Sequence, residues 1–378
     1  MGQADVSERT RQPETQRRRV LFVLPSLLGG GAERVMVILL RHLDRSRFEP
    51  HLALVNRTGP YLSEVPLDVP IHDLRSGRVR YALPTLLRLV WKLRPHVVLA
   101  TLRELNWALL ILKPLLPRGV KLIVREGISV SAYLAQDSQH PGLSRWLYRH
   151  YYARADKIIC VADYIRNDLA EHFGIPLAKM ILIYNPMDVE RVRHLADAGE
   201  NPLTDPGPHL VAVGRLWRQK GFDVLLDALA LVRNLLPAKL TILGEGPLEL
   251  DLKAQSERLG LSGAVQFVGF QPNPYPYLKH ADMFVLSSRY EGLPNVVLEA
   301  LSLGTPVVAT DCPGGVREIL QGCSMGCVVP SSNPPLLAEA IISAFKSRKE
   351  KSSNARDMAG LLDRFGVERV MAQYEQII

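Results

Sequence analysis

Residues 20–42 read VLFVLPSLLGGGAERVMVILLRH. The run 20–26 is almost wholly apolar, too short for a helix, and soon followed by glycines, which predicts a strand covered on both faces. Gly29, Gly30 and Gly31 supply a turn, and a helical pattern follows from Ala32 to His42. Strand, glycine turn and helix in that order open a doubly wound parallel sheet.

The same alternation continues outward. Further strands are expected at 51–55, 96–100, 121–124, 157–162 and 180–184, with helical stretches such as 105–116 and 143–155 between them. Residues 186–208 then break the rhythm with a polar segment rich in Pro, Gly and Asp, which reads as a linker. After it the pattern restarts: strands at 209–214, 239–243, 265–268, 283–287 and 306–310, helices at about 221–236, 247–259 and 294–303. The expected fold class is therefore α/β, with two Rossmann-like, doubly wound domains facing a cleft. The first takes residues 20–185 and the second 209–359, after a polar flexible leader at 1–19. Residues 355–378 read as amphipathic helix whose partner periodicity does not reveal.

Composition narrows the class. The 378 residues suit two domains, and 47% hydrophobic with 22% charged is ordinary for a globular chain. Four cysteines cannot staple a chain this long, which favours a reducing compartment. No run approaches the ~20 apolar residues a membrane span needs. The arginines at 17–19 before an apolar run loosely imitate a signal peptide, but a buried first strand with its glycine turn is the reading adopted. The net charge is +8, and it is uneven: residues 1–185 hold 27 Lys and Arg against 16 Asp and Glu, the remainder 19 against 22. The first half is the part built to meet an anionic surface.

Three constellations carry chemistry. The first, Gly29-Gly30-Gly31-Ala32-Glu33-Arg34, lets backbone approach a ligand at a helix start, though a tight turn alone accounts for it as well. It lacks the third glycine of the dinucleotide fingerprint. The second runs from Gly214 and Arg215 to Lys220 and Gly221 at the end of a strand, where open α/β sheets bind ligands. Arg215 and Lys220 outline a diphosphate clamp, with Gly244-Glu245-Gly246-Pro247 as a second strand-end turn beside it; a solvated basic loop is the competing reading. The third is SRYEGLPNVVLEA at 288–300, in which Glu291 precedes the turn at Gly292 and Glu299 lies inside an otherwise apolar helix, where it wants a partner. The N–H groups of that helix start, between the two carboxylates, suit a diphosphate. Two hydroxyl-seeking acceptors flanking a diphosphate site describe a nucleotide-sugar.

These motifs together resemble the retaining glycosyltransferases of family four: Glu-x7-Glu, Gly-Arg-x4-Lys-Gly, Gly-Glu-Gly-Pro, Gly304-Thr305-Pro306 and the Gly-Gly-Ala-Glu-Arg opening. The resemblance spans about residues 20–376 and is sharpest over 209–320. It implies the GT-B architecture, with the donor on the second domain, the acceptor on the first, and a last helix, about 360–378, crossing back to the first. It further implies that Arg215 and Lys220 neutralise the donor diphosphate, Glu291 holds the sugar and Glu299 the ribose. Gly214, Gly244, Gly292, Leu293, Pro294, Asn295 and Val296 would line the donor, and Gly30 and Gly31 would abut it from across the cleft. Retention in this family proceeds by same-face attack assisted by the leaving phosphate. No Asp-x-Asp occurs, so no metal or other cofactor is expected and the cations take that role. The Glu-Gly-Leu-Pro-Asn variant points to a UDP-linked hexose or N-acetylhexosamine, and the implied acceptor is a lipid-linked glycan of the cell envelope.

One departure stands out. Where many relatives carry a histidine after the strand at 121–124, this chain has Arg125-Glu126-Gly127. Arg125, Glu126 and Arg103 are the candidates for acceptor or sugar contact, and an ion pair of purely structural use is the alternative for the first two. Cys312, Cys323 and Cys327 have no fourth ligand for zinc. The stretches 78–94 and 144–157 mix Arg and Lys with Trp, Tyr and Leu, which suits peripheral contact with an anionic membrane on its cytoplasmic face; packing of the leucines on the sheet is the competing reading. Other functions weighed are a non-hydrolysing sugar-nucleotide 2-epimerase and a non-catalytic nucleotide-sugar-binding membrane scaffold. Nucleic-acid binding is set aside because no recognised module accompanies the basic half.

Overall fold

The computed structural model describes residues 17–347 and 355–378. Thirteen strands among them form two sheets, every pairing parallel. The first sheet takes β1 (Arg18–Leu24), β2 (Phe48–Leu54), β3 (Ile71–Asp73), β4 (Val97–Thr101), β5 (Lys121–Glu126), β6 (Lys157–Cys160) and β7 (Met180–Leu182), in the order 3-2-1-4-5-6-7. The second takes β8 (His209–Val213), β9 (Lys239–Leu243), β10 (Val265–Phe267), β11 (Met283–Leu286), β12 (Val307–Asp311) and β13 (Gly326–Pro330), in the order 10-9-8-11-12-13. The strand order turns back between β1 and β4, and again between β8 and β11. In such sheets the crevice outside the carboxyl ends at this point is where ligands sit. The glycine turn at 29–31 follows β1, Gly214 follows β8, and Ser288 to Gly292 follow β11. Topology thus brings the three sequence constellations to the switch points.

Helices cover both faces, which is why the central strands carry continuous Val, Ile and Leu. Val20 and Phe22 of β1 point to one face, packing with Val35, Leu39 and Leu40 of the helix Gly31–His42. Leu21 and Val23 point to the other, packing with Ala82, Leu86 and Val90 of the helix Val79–Leu93 and with Leu105 and Leu109 of the helix Arg103–Leu112. Burying one such side chain contributes roughly 1.5–3 kcal/mol.

Of the boundaries that differ from the sequence expectation, four have a plain physical reason. The leader falls mostly outside the described residues, and β1 already begins at Arg18, whose N–H donates to the Arg47 carbonyl at 2.8 Å; pairing with β2 extends the strand below its apolar part. The polar segment 186–208 contains a helix, Val189–Asp197, started by the Asp188 carboxylate accepting from the Arg191 N–H at 3.0 Å. The expected helix at 105–116 ends at Leu112, just before Pro114. Finally, 355–378 is two helices, Ala355–Phe365 and Val367–Ile377, parted at Gly366. The second returns to the first domain: Val370, Met371 and Tyr374 enter the core beside Val35 and Leu39, and Glu375 accepts from the Asp44 N–H at 3.0 Å.

Candidate functional site

The two domains meet over bare backbone. The Ser129 N–H donates to the Glu291 carbonyl at 3.0 Å, and a Cβ built on Gly292 would lie 1.9 Å from the Gly127 carbonyl oxygen. Gly29, at φ +102°, admits the Phe270 ring, to which a Cβ there would come within 2.8 Å. Gly31 faces Asn295, whose amide nitrogen is 3.6 Å from the position of a Cβ on that glycine. Gly30 stands at the N-cap of the helix Gly31–His42, the Glu33 carboxylate folded back against it.

In the second domain, Gly214 and Gly244 lie backbone to backbone at the ends of β8 and β9. Gly244 has φ +133°, and a Cβ there would fall 2.0 Å from the Gly214 carbonyl. The Lys220 stem passes over Gly214 and delivers its ammonium to Glu291, Nζ to Oε1 2.6 Å. Ser288 Oγ donates to the same oxygen at 2.6 Å, a contact that the three-residue spacing alone did not single out. Glu291 is buried and Lys220 nearly so, so the pair is screened little by water. Arg215 is exposed, its guanidinium 5.9 Å from the Trp217 ring, and forms no ion pair among the described residues.

Leu293 is buried and its carbonyl accepts from Asn185 Nδ2 at 3.1 Å. Pro294 is the N-cap of the helix Asn295–Ser302, one residue earlier than its preference for the first helical position suggests. Asn295 Oδ1 accepts from Asn185 at 2.6 Å, and Val296 is half-buried beside it.

Glu299 has the partner its apolar helix demanded. Arg34, from the first domain, places Nη1 2.7 Å from Glu299 Oε1. Nη2 and Nε donate to the Tyr61 hydroxyl at 2.8 and 3.0 Å, and Nη1 also donates to the Tyr275 hydroxyl at 3.4 Å. Burial works against the guanidinium charge, but Glu299 and the two tyrosines hold its pKa well above the usual value. Arg34 stands in the sequence motif, yet nothing local announces a partner 265 positions away. Beside it, burial pushes the Glu33 carboxyl above the usual range, against its own backbone N–H and the charges of Arg215 and Arg125.

The acceptor candidates fall into different surroundings. Arg125 is almost fully buried and bonds Asn185 Oδ1 and, at 3.4 Å, Thr101 Oγ1. Glu126, the next residue of β5, points to the opposite face and is buried there, its Oε2 taking the hydroxyls of Tyr152 at 2.6 Å and Tyr148 at 3.0 Å; burial raises its pKa. The two are not an ion pair with each other. Arg103 is nearer the surface, paired with Glu104 and stacked 3.8 Å over the Tyr133 ring. It follows Leu102, which is held at φ +73°, a costly conformation for leucine. Across from it Tyr290 donates to Asp137, and Arg218 reaches the Gln136 carbonyl at 3.0 Å, closing one end of the cleft. Among the described residues no group of three or more His, Cys, Asp or Glu is placed to hold a metal ion, and Cys160, Cys312 and Cys327 are free thiols.

This arrangement gives the two carboxylates different partners. Glu291 engages the Lys220 ammonium, whereas Glu299 sits on the far side of the turn with a guanidinium from the opposite domain. Glu291→Gln keeps the shape and the Ser288 contact while freeing Lys220. If Lys220 meets a donor diphosphate and Glu291 its sugar, as the sequence motifs imply, UDP affinity in calorimetry should then hold or rise and turnover should fall about a hundredfold. On the same premise Lys220→Ala should do the reverse to affinity, weakening UDP about tenfold or more, since it would remove a charge-assisted contact and leave the Glu291 carboxylate without its cation.

Residues 29–191 match the family model Glycosyltransferase Family 4, and residues 207–347 match Glycosyl transferases group 1. Among curated proteins the chain is 29% identical over 366 residues to the N-acetylgalactosamine-N,N'-diacetylbacillosaminyl-diphospho-undecaprenol 4-alpha-N-acetylgalactosaminyltransferase of Campylobacter jejuni, covering 92% of this chain and 97% of that one. It is 24% identical over 352 residues to the amylovoran biosynthesis glycosyltransferase AmsD of Erwinia amylovora, covering 92% and 96%. The crystal structure of Anabaena HepE in complex with UDP-glucose superposes with a TM-score of 0.78 at 18% identity, covering 95% of this chain and 98% of that one.

Proposed function

With both domains matched, the chain belongs to the glycosyltransferases of group 1 and family 4, and we propose that it moves a hexose or N-acetylhexosamine from a UDP-linked donor to a lipid-linked glycan with retention of configuration. Such a step serves assembly of a cell-envelope polysaccharide or glycoconjugate. The observation that carries the reading is the placement of Lys220–Glu291 and Glu299 on either side of the backbone turn at Gly292, directly beneath the switch point. Lys220 and Arg215 would take the diphosphate, Glu291 the sugar hydroxyls and Glu299 the ribose. The C. jejuni relative is named for an undecaprenol-linked acceptor and the Anabaena structure for UDP-glucose, which supports this choice of acceptor and donor.

Arg215, without an ion pair among the described residues, is free to follow the diphosphate as the sugar leaves. Same-face attack would let a phosphate oxygen take the acceptor proton, and two cations lower the cost of the charge left behind. Arg103 would meet the acceptor at the surface, while Arg125 lies buried beneath the floor at Gly127 and would only support it.

Labelled UDP-sugar incubated with lipid-linked acceptor provides the test. Label should pass to the lipid with its anomeric configuration kept. Label that isomerises while still on UDP would establish an epimerase, and label that stays unchanged on UDP a binding protein. Excess chelator should leave the rate within about twofold, because Arg215 and Lys220 supply the positive charge. Activity lost in chelator and restored by Mg²⁺ would contradict this.

The reading also places the enzyme against the cytoplasmic face of a membrane. Among the described residues no helix is long and apolar enough to cross one. The two basic aromatic helices, Val79–Leu93 and Pro141–Tyr151, cover the same face of the first sheet, with Ala82, Leu86, Val90 and Tyr148 in one core. The leucine-packing alternative therefore holds for the inner stripe, while Tyr81, Trp91 and Trp146 remain exposed on the outside.

A further inference from the structure

At the end of the first sheet away from the cleft, the C-terminal turn of the helix Val79–Leu93 and the connection from Pro114 to Arg118 enclose an open groove of about 630 Å³. Leu87, Trp91 and Leu115 to Pro117 give it apolar walls, and Arg94 and Arg118 stand at it. The Trp91 indole N–H donates to the Leu115 carbonyl at 2.9 Å, so its one polar atom is satisfied while the ring stays 48% exposed. Neither arginine is ion-paired among the described residues, and the Arg94 guanidinium lies 5.9 Å over the Trp91 ring. The groove also lies within the most one-sided charge of the sequence. From residue 74 to residue 125 there are eleven Lys and Arg, and Glu104 is the only acid.

We infer that this groove seats an anionic phospholipid of the bilayer, its phosphate between Arg94 and Arg118 and the upper part of an acyl chain against Trp91 and Leu115. The inference rests on the membrane reading above and adds a defined lipid site to it. An apolar trough with a satisfied indole at its edge and two unpaired guanidinium groups matches a lipid's own division into chain and phosphate. A soluble anion has no use for the apolar walls, and an apolar peptide has none for two bare cations.

Position separates this site from catalysis. The groove adjoins the amino-terminal ends of β4 and β5, whereas the donor cleft lies at the carboxyl ends. The helix that links them has fifteen residues, roughly 22 Å at ~1.5 Å per residue, with Arg80 and Tyr81 near its other end. A lipid held in the groove is thus a tether that sets the helix along the membrane plane. The acceptor's own lipid is left to enter at the cleft.

The test uses the full chain with Trp107, Trp146 and Trp217 changed to Phe, so that Trp91 alone reports. Vesicles of phosphatidylglycerol in phosphatidylcholine, brominated along the acyl chains, should quench its fluorescence, and neutral vesicles should not. The pair Arg94→Gln and Arg118→Gln should weaken sedimentation with anionic vesicles about thirtyfold, at ~1 kcal/mol for each cation near such a surface. The pair Arg258→Gln and Lys346→Gln, on the second domain, should leave it unchanged. Thermal midpoints of all variants confirm that they are folded. Protein that sediments with anionic vesicles while Trp91 stays unquenched overturns the groove but not the membrane reading. Protein that does not sediment at all overturns both. A Trp91 signal that responds to protein concentration without lipid, and not to vesicles, gives the groove to a second copy of the chain and overturns the proposal.

Discussion

Gly292→Ala should reduce sugar transfer about a hundredfold while UDP affinity stays within a few-fold of the wild type. The added methyl would arrive 1.9 Å from the Gly127 carbonyl oxygen, a backbone atom of the other domain. Carbon and oxygen need about 3.3 Å, so the two loops must part by roughly 1.4 Å. The Ser129 N–H would then lose the Glu291 carbonyl, and the acceptor side would sit an ångström or more too far from the sugar. Misplacement of that size is worth about two orders of magnitude in rate. Arg215 and Lys220, the proposed diphosphate clamp, lie wholly within the second domain, which is why UDP binding should survive. Gly127→Ala is the control: its methyl meets the end of the Arg125 side chain at 3.2 Å, which can shift by a few tenths. It should cost far less activity. Equal losses in the two variants would mean that the loop contact does not set the closed geometry.

The contrast between those two glycines shows what could be read from the sequence. That 288–300 forms a strand end, a turn and a helix was legible, because strand propensity, Gly292 and Pro294 are local signals. The switch-point crevice followed from strand alternation in the same way. Strand β3 and strand β13 were not legible: at the sheet edges, Ile71-His72-Asp73 and GCVVP at 326–330 have short or mixed patterns, and pairing with β2 and β12 makes them strands. The helix in the supposed linker was hidden by polarity, although its Asp188 cap is a local signal. Contacts across the cleft were beyond reach for a different reason. Periodicity showed that Glu299 needed a partner, but the choice of Arg34 is made by two domains closing. The same holds for Asn185, which joins Arg125 to Asn295 and ties the cleft floor to the donor helix.

The same closure yields the strongest expectation about stability. Arg34→Met should destabilise the protein by about 3–5 kcal/mol, because it leaves the Glu299 carboxylate buried without its cation. Glu299 keeps only 5% of its side chain exposed and has no other side-chain partner among the described residues. Tyr61 and Tyr275 lose a donor in the same step. Glu299→Gln should cost less, since a neutral amide can still accept from Arg34. The double variant Arg34→Met with Glu299→Gln should regain part of the loss, with a coupling of about 1–3 kcal/mol in the cycle. Donor binding gives the second readout. If Glu299 takes the ribose hydroxyls, Glu299→Gln weakens UDP, and Arg34→Met weakens it too by letting the carboxylate swing. Neither change should further weaken 2′,3′-dideoxy-UDP, which has no hydroxyl to offer. The recovered stability of the double variant must then come without recovered UDP affinity. A double variant that regains both, or a dideoxy analogue as sensitive as UDP, would make Arg34–Glu299 a clasp between domains that has no part in holding the donor.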